Sequence, residues 1–378
     1  MSDSLVPITS VPFLDLSREL IPIKAQVRAK MDQIVFDKTN FILGDELSEF
    51  ERNFADYTIV SHCVGVANGG DAIEIAVAAL GFGKDDEIIT QANTYVATCF
   101  GVTNNGVTLK LVDIDPNTFQ MDLDLLERNI TDRTKAVLVV HLTGSCCDMD
   151  RLVEIVARHG LILIEDCAQS HGATYRGLRL GSFGTVSTFS FYPGKNLGAF
   201  GDGGAVCTND DGLADKMRKM RNNGSTEKYK HEIFGRNSRL DTLHAAVLDI
   251  KLTRLDANNE KRRANARTYC RLLGGVGGVQ LPEIESECIP VFHLFIIRVK
   301  ERDALKAHLE SRGIGVGVHY PISISNLECY AGCFADAYSN AELNCDTMLS
   351  LPMYPDLTEG EITHVCDTIR EYLIKSKY

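Results

Sequence analysis

Three short stretches of the chain combine residue types that could do chemistry. The first, Val66-Ala67-Asn68-Gly69-Gly70-Asp71, stands directly before a helical pattern, Ala72–Leu80. Its two glycines let the backbone approach a ligand, and Asp71 can cap the helix. A glycine-containing turn at a helix N-terminus offers unpaired N–H groups and the positive end of the dipole, which suits a phosphate. In the second, the apolar run Leu161-Ile162-Leu163-Ile164 leads into Glu165-Asp166-Cys167-Ala168-Gln169-Ser170-His171-Gly172. An acidic pair at the carboxyl end of a buried strand lies where α/β sheets place their ligands. The third is Ser187-Thr188-Phe189-Ser190-Phe191-Tyr192-Pro193-Gly194-Lys195-Asn196-Leu197-Gly198, followed by Gly201-Asp202-Gly203-Gly204. Lys195 sits there among proline, glycine and aromatic residues on a loop after a strand. Desolvation and a second nearby cation would lower its pKa and make its amine nucleophilic. Each stretch alone also has a plainer reading: a capped turn, a polar strand end, a solvated loop lysine.

Together the three are more specific. A phosphate cradle, a strand-end carboxylate, and a lysine 29 positions later (195 minus 166) form the set that pyridoxal 5'-phosphate requires. That cofactor wants a phosphate anchor, a carboxylate on its pyridine nitrogen and a lysine for the Schiff base. Competing motifs are missing. No GxGxxG follows a strand, and there is no HExxH or GxSxG. Gly194-Lys195 lacks the upstream glycine of a P-loop, since Phe189 occupies that position.

These residues need elements to hold them. Short β-branched runs alternate with helical patterns through the first two thirds of the chain. Strands are expected at Glu87–Thr90, Leu109–Val112, Ala136–His141 and Leu161–Ile164, with helices at Leu123–Asn129 and Met149–Arg158. Such alternation implies βαβ units and a mostly parallel sheet, and continuous Val/Ile/Leu runs suit strands covered on both faces. After about residue 240 the pattern changes. Leu240–Leu273 is long, charged and helix-favouring, and Gly274-Gly275-Val276-Gly277-Gly278 breaks it. Strand-like His293–Val299 and Gly315–His319 flank helix-like Arg302–Arg312, and a last helix is expected near Gly360–Ile374. The reading is two domains: a large α/β domain over 1–245, and a smaller α+β domain over 246–378 joined by a long helix.

Composition narrows the class. The 378 residues carry 39 Lys+Arg against 51 Asp+Glu, a net charge of −12, which argues against a nucleic-acid partner. No apolar run reaches the ~18 residues of a membrane span, and the first residues, Met-Ser-Asp-Ser-Leu-Val-Pro, have neither the basic nor the apolar part of a signal peptide. The 12 cysteines are scattered, with no CxxC pair; the nearest patterns are Cys146-Cys147 and Cys329/Cys333. They read as reduced thiols of a cytoplasmic protein, with no metal site.

The sequence resembles the DegT/StrS-type sugar aminotransferases, pyridoxal phosphate enzymes of fold type I. The likeness runs from Pro12-Phe13-Leu14-Asp15-Leu16 and Phe41-Ile42-Leu43-Gly44 to His319-Tyr320-Pro321 and Leu351-Pro352. It is most specific in Glu165–Gly172 and Phe189–Leu197. The resemblance implies a fold-type-I α/β architecture, with a mostly parallel central sheet, helices on both faces and a smaller C-terminal α+β domain. It also implies roles. Lys195 would be the Schiff-base lysine and proton shuttle, and Asp166 the partner of the pyridine nitrogen. Gln169 would bond the cofactor's phenolic oxygen, and Gly70, Asp71 and Ser190 would hold its phosphate. Tyr95 matches the ring-stacking aromatic. Asn237 matches an asparagine that reaches the phosphate of the neighbouring subunit, so the active site would be shared within a homodimer. His319 and Tyr320 match a segment near the substrate pocket. Departures are small: Gly70 and Gly194 stand where hydroxyl residues are common, and Thr143 replaces a usual tyrosine.

The function so implied is nucleotide-sugar amino transfer, from glutamate to a keto-deoxyhexose on a nucleoside diphosphate, in amino-sugar biosynthesis. Arg221–Tyr229 followed by Asn237–Asp241 resembles the branch acting on dTDP-linked 3-keto-6-deoxyhexoses, with 4-keto amination as the alternative. A pyridoxal-phosphate sugar dehydratase of the same fold would put histidine at position 195. A non-catalytic regulatory homologue would have lost Lys195 or Asp166, and both are present.

Overall fold

A computed structural model describes residues 8–375; the N-terminal segment Met1–Pro7 read above lies outside the described residues. Seven strands form the central sheet: β1 (His62–Val66), β2 (Glu87–Gln91), β3 (Thr108–Val112), β4 (Thr134–Val140), β5 (Ile162–Asp166), β6 (Val186–Ser190) and β7 (Gly204–Thr208). Their order is β1-β7-β6-β5-β4-β2-β3. Pairings from β6 through to β3 are parallel, and β7 runs antiparallel to both β6 and β1.

Burial on both faces explains the uninterrupted apolar runs. Val137, Val139 and Leu163 enter one core, with Phe54 of helix Asp45–Thr58 and Ile155 of helix Met149–Arg158. Their neighbours Ala136, Leu138, Val140 and Ile164 enter another, with Ile73 of helix Gly69–Leu80 and Val102 of helix Val96–Thr103. Successive strand residues point to opposite faces, so both sets must be apolar. In the first core Phe54 meets Phe189 and Phe191 edge-on, at 4.9 and 5.3 Å between centroids. Each such pair adds about 0.5–1.5 kcal/mol beyond its buried area.

The C-terminal part departs from expectation in two places. The charged stretch 240–273 folds as two helices, Thr242–Leu252 and Leu255–Leu273, broken at Thr253-Arg254. The break lies just past 245/246, which falls inside the first of them. The strand expected at Gly315–His319 supplies only a bridge between Gly317 and Ser350. Instead β8 (Phe295–Arg298) pairs antiparallel with β9 (Met348–Leu351). Gly315 serves a different purpose: a Cβ there would stand 2.6 Å from the Phe13 backbone nitrogen, so glycine lets the N-terminal segment cross. That segment is bound on both sides, Val11 N–H to the Gly313 carbonyl (2.9 Å) and Gly315 N–H to the Val11 carbonyl (2.8 Å). Phe295 and Ile297 of β8 and Leu349 and Leu351 of β9 share a separate core with Leu305 and Leu309 of helix Arg302–Ser311 and Ile362 and Val365 of helix Glu359–Lys375. No helix among the described residues is long and apolar enough to cross a membrane.

Candidate active site

The carboxyl ends of β4, β5 and β6 open into one cavity of about 610 Å³, lined there by Val140, Asp166 and Ser190. Loops after β1 and β2 bring Asn68, Gly69, Gly70 and Tyr95 to it, and the C-terminal part brings His293, His319 and Tyr320. Ligands in parallel sheets bind at these strand ends.

Strand alternation separates the acidic pair. Asp166 faces the cavity and is 4% exposed. It accepts the Thr98 hydroxyl on Oδ2 (2.8 Å) and the Ala168 N–H on Oδ1 (3.1 Å). Burial pushes its carboxyl above the usual range, and the Ala168 N–H, Thr98 and the Lys195 charge pull it back. Glu165 points the other way and is fully buried. Its two oxygens take the N–H groups of Gly181, Phe183 and Gly184 at 2.7–2.9 Å and meet His141 Nε2 at 2.9 Å. His141, Glu165 and Cys167 stand close enough to suggest a metal trio. With the Glu165 oxygens committed to three backbone N–H groups and an imidazole, we read the trio as a clamp on the 181–184 turn.

The same alternation continues past β6: Phe189 and Phe191 are buried in the core, while Ser190 and Tyr192 line the cavity. The chain then turns tightly, with Lys195 N–H on the Tyr192 carbonyl (2.9 Å) and Ala199 N–H on the Phe191 carbonyl (2.8 Å). Gly198 is required there, because a Cβ would sit 2.3 Å from the Pro193 oxygen. Buried Lys251 fastens the turn from beneath through the Gly198 carbonyl (2.7 Å). Lys195 is thereby walled in beside the cavity. Loss of hydration lowers its amine to about 8, while Asp166 acts to raise it. Half of such groups are uncharged near pH 8, which a nucleophilic amine needs.

The first turn of helix Gly69–Leu80 faces the opposite wall. Asn68, not Asp71, is its N-cap, with the Asp71 N–H on Asn68 Oδ1 at 2.8 Å. Asp71 therefore departs from both expected roles: its N–H is committed to the cap, and it does not line the cavity. Gly69 and Gly70 do, and Ser190 packs so closely that a Cβ on Gly69 would lie 2.7 Å from its Cβ. Gln169 is held rather than free, accepting the Thr143 N–H on Oε1 (2.6 Å) and donating from Nε2 to the Tyr320 hydroxyl (3.2 Å). Tyr95, 54% exposed, lies with its ring centroid 5.2 Å from that of Tyr320. His319 stacks on Phe13 (5.5 Å) and meets Ser350 Oγ through Nδ1 (2.9 Å). Burial and the Lys195 charge lower its pKa to about 4.

One cavity thus gathers Gly70, Tyr95, Asp166, Gln169, Ser190, Lys195, His319 and Tyr320. Asn237 stays outside it, exposed and bridged to Asn222. Sequence reasoning missed Thr98, although it lies on the same helical face as Tyr95, three residues on. His293, which the sequence suggests to be a histidine packed at the domain interface, also lines the cavity. The donor set suits pyridoxal phosphate: a two-glycine helix start with a serine opposite for the phosphate, a buried carboxylate for a ring nitrogen, and an amine of lowered basicity.

The chain matches the model of the DegT/DnrJ/EryC1/StrS aminotransferase family over residues 23–370. It is 44% identical over 366 residues to a dTDP-3-amino-3,4,6-trideoxy-alpha-D-glucose transaminase of Streptomyces venezuelae, covering 96% of each chain. A dTDP-3-amino-3,6-dideoxy-alpha-D-galactopyranose transaminase of Aneurinibacillus thermoaerophilus is 41% identical over 362 residues, covering 96% of this chain and 99% of that one. Among solved structures, S. venezuelae DesV in complex with a ketimine intermediate superposes with a TM-score of 0.94 at 44% identity, covering 97% and 99%.

Proposed function

Because the chain belongs to the DegT/DnrJ/EryC1/StrS aminotransferase family, whose members depend on pyridoxal phosphate, we propose that it aminates a nucleotide-linked keto sugar. The amino group would come from glutamate. The acceptor would be a dTDP-3-keto-6-deoxyhexose, giving a dTDP-3-amino-3,6-dideoxyhexose. One observation carries the reaction class: Lys195, Asp166 and the Gly69-Gly70 helix start share a cavity of about 610 Å³. The C3 position rests on the two relatives above, both named for 3-amino products.

When bound, pyridoxal phosphate supplies an electron sink for the carbon that loses a proton. The chain's residues would do the rest. Gly70 and Ser190 hold the phosphate, and Asp166 keeps a proton on the pyridine nitrogen. Tyr95 would cover the ring and Gln169 would bond its phenolic oxygen. Lys195 would carry the cofactor and would hold or release a proton at its own Nζ, which an amine titrating near 8 can do in either direction. His319 and Tyr320 close the substrate side.

The active sites would be shared in a homodimer, each taking Asn237 of the partner subunit. Support comes from Asn237 standing exposed and away from its own cavity, and from the apolar Phe41-Ile42-Leu43 and Phe200, all 41–48% exposed. The 12 cysteines are all unpaired, which fits the reducing cytoplasm. The deciding experiment is incubation with glutamate and a panel of dTDP-linked 3-keto and 4-keto sugars, with products read by mass and NMR. An amine at C3 is expected; an amine at C4 would overturn the assignment.

A further inference from the structure

Beside Lys195 runs a directed chain of hydrogen bonds through side chains that the roles above leave unused. Asn259 Nδ2 donates to the His171 carbonyl (2.8 Å), which makes Oδ1 its acceptor end. Asn196 Nδ2 donates to that oxygen (2.9 Å) and to the Val291 carbonyl (3.1 Å). Carbonyl oxygens only accept, so both amide orientations are fixed. Asn196 Oδ1 therefore faces His293 Nδ1, at 3.2 Å. An amide oxygen cannot donate either, so Nδ1 of the imidazole carries the proton. Asn196 and Asn259 are 5% and 1% exposed, which keeps water from competing for these bonds. Burial and the charges of Lys195 and Arg262 hold His293 in its neutral form. Its Nε2 is then a bare lone pair. The ring's one hydrogen bond among the described residues is through Nδ1, and His293 lines the cavity that holds Lys195 and Asp166.

We propose that His293 is a substrate-contact residue for the sugar half of the reaction, its Nε2 accepting a hydrogen bond from a hydroxyl of the nucleotide-linked sugar. The assignment rests on the amino-transfer reading above. Glutamate suits this group badly. Its carboxylates are acceptors, a neutral imidazole brings them no charge, and its amine is the reacting group. A sugar hydroxyl is a donor, and the fixed tautomer offers it an acceptor without a reorganisation cost.

The test uses the loaded holoenzyme and separates the half-reactions. Wild-type must first run both; failure to aminate any sugar of the panel would sink the amino-transfer reading itself. His293→Phe should then slow the sugar half-reaction roughly 10- to 100-fold, since a donor left without its acceptor loses about that much. The glutamate half-reaction should stay within about twofold. Calorimetry with the aminated dTDP sugar should show the affinity weakened about tenfold or more. His293→Gln, which keeps an acceptor, should restore most of both. An unchanged sugar half-reaction would overturn the proposal. So would an equal loss in both halves, which would make the ring a support for Lys195, or a failure of both variants to fold, which would make it structural.

Discussion

Asp166→Asn isolates a charge at constant shape. An asparagine can leave its oxygen on the Ala168 N–H and set Nδ2 against Thr98 Oγ1, where the carboxylate now takes bonds of 3.1 and 2.8 Å. The Thr98 proton can then turn to Thr94 Oγ1, 2.8 Å away. Each contact around the residue survives, and only the Thr94 hydroxyl proton loses its present acceptor, so the apo chain should melt close to wild-type. What disappears is the negative charge that would hold a proton on the cofactor's pyridine nitrogen. A hydrogen bond to a charged group contributes about 1.5–3 kcal/mol, and each 1.36 kcal/mol felt only in the transition state is tenfold in rate. The half-reaction with glutamate should therefore slow by roughly 10- to 150-fold. Single-turnover absorbance after mixing the loaded variant with glutamate measures it, while borohydride reduction checks that the link to Lys195 still forms. A rate within twofold of wild-type, with the fold intact, would refute the role. Glu165 could not then be called in its place, since it lies on the far face of β5, fully buried.

Other outcomes follow from the same geometry. The Lys195 amine lies near pH 8, raised toward its ordinary value by Asp166 and lowered by lost hydration. Capture of pyridoxal phosphate by the apo chain should thus quicken with rising pH through a midpoint near 8, and Asp166→Asn should move that midpoint lower; stopped-flow absorbance showing an unmoved midpoint would count against the coupling. Glu165→Gln would turn an NH₂ group toward donors that now bond its oxygens, at a cost of about 1–3 kcal/mol by calorimetric unfolding; an unchanged melting temperature would show the clamp to be idle. Gly198→Ala should displace the lysine turn and cut borohydride trapping, whereas Gly194→Ser, whose Cβ meets only side chains at 3.4 Å or beyond, should trap normally. Subunits dead at Lys195 and subunits damaged at Asn237 should recover activity when exchanged into mixed dimers; verified exchange without recovery would exclude a shared site.

The central sheet was legible because β4 and β5 are buried on both faces, so Val137–Val140 and Leu163-Ile164 show no polar gap. Helices Leu123–Asn129 and Met149–Arg158 have the bounds their patterns predict, each with an aspartate cap, Asp122 and Asp148. Local signals failed where distant chain decides structure. Gly315 sits in what looks like a strand, but it makes room for Phe13, about three hundred positions earlier, and Gly317 makes room for the His319 ring. Lys195 and Asp166 were readable because one motif carries each. Thr98 and the Asn196–His293 pair were not, since their meaning lies in hydrogen bonds to residues 68 and 97 positions away in the chain. Asp71 misled because Asn68, three residues before it, is the better cap.

The seating of Val11 between Gly313 and Gly315, with Phe13 stacked on His319, has a consequence for biosynthesis. Residues 11 to 13 dock on residues about three hundred positions later in the chain. At about 5–20 residues per second, the interval between Val11 and Gly313 is roughly 15–60 s. Until it closes, Val11 and Phe13 have no seat and the cavity lacks the wall that His293, His319 and Tyr320 supply, so a half-made chain cannot complete the site. A segment this late to find its berth makes loss of Val11 and Phe13 more damaging than their distance from Lys195 in the chain suggests.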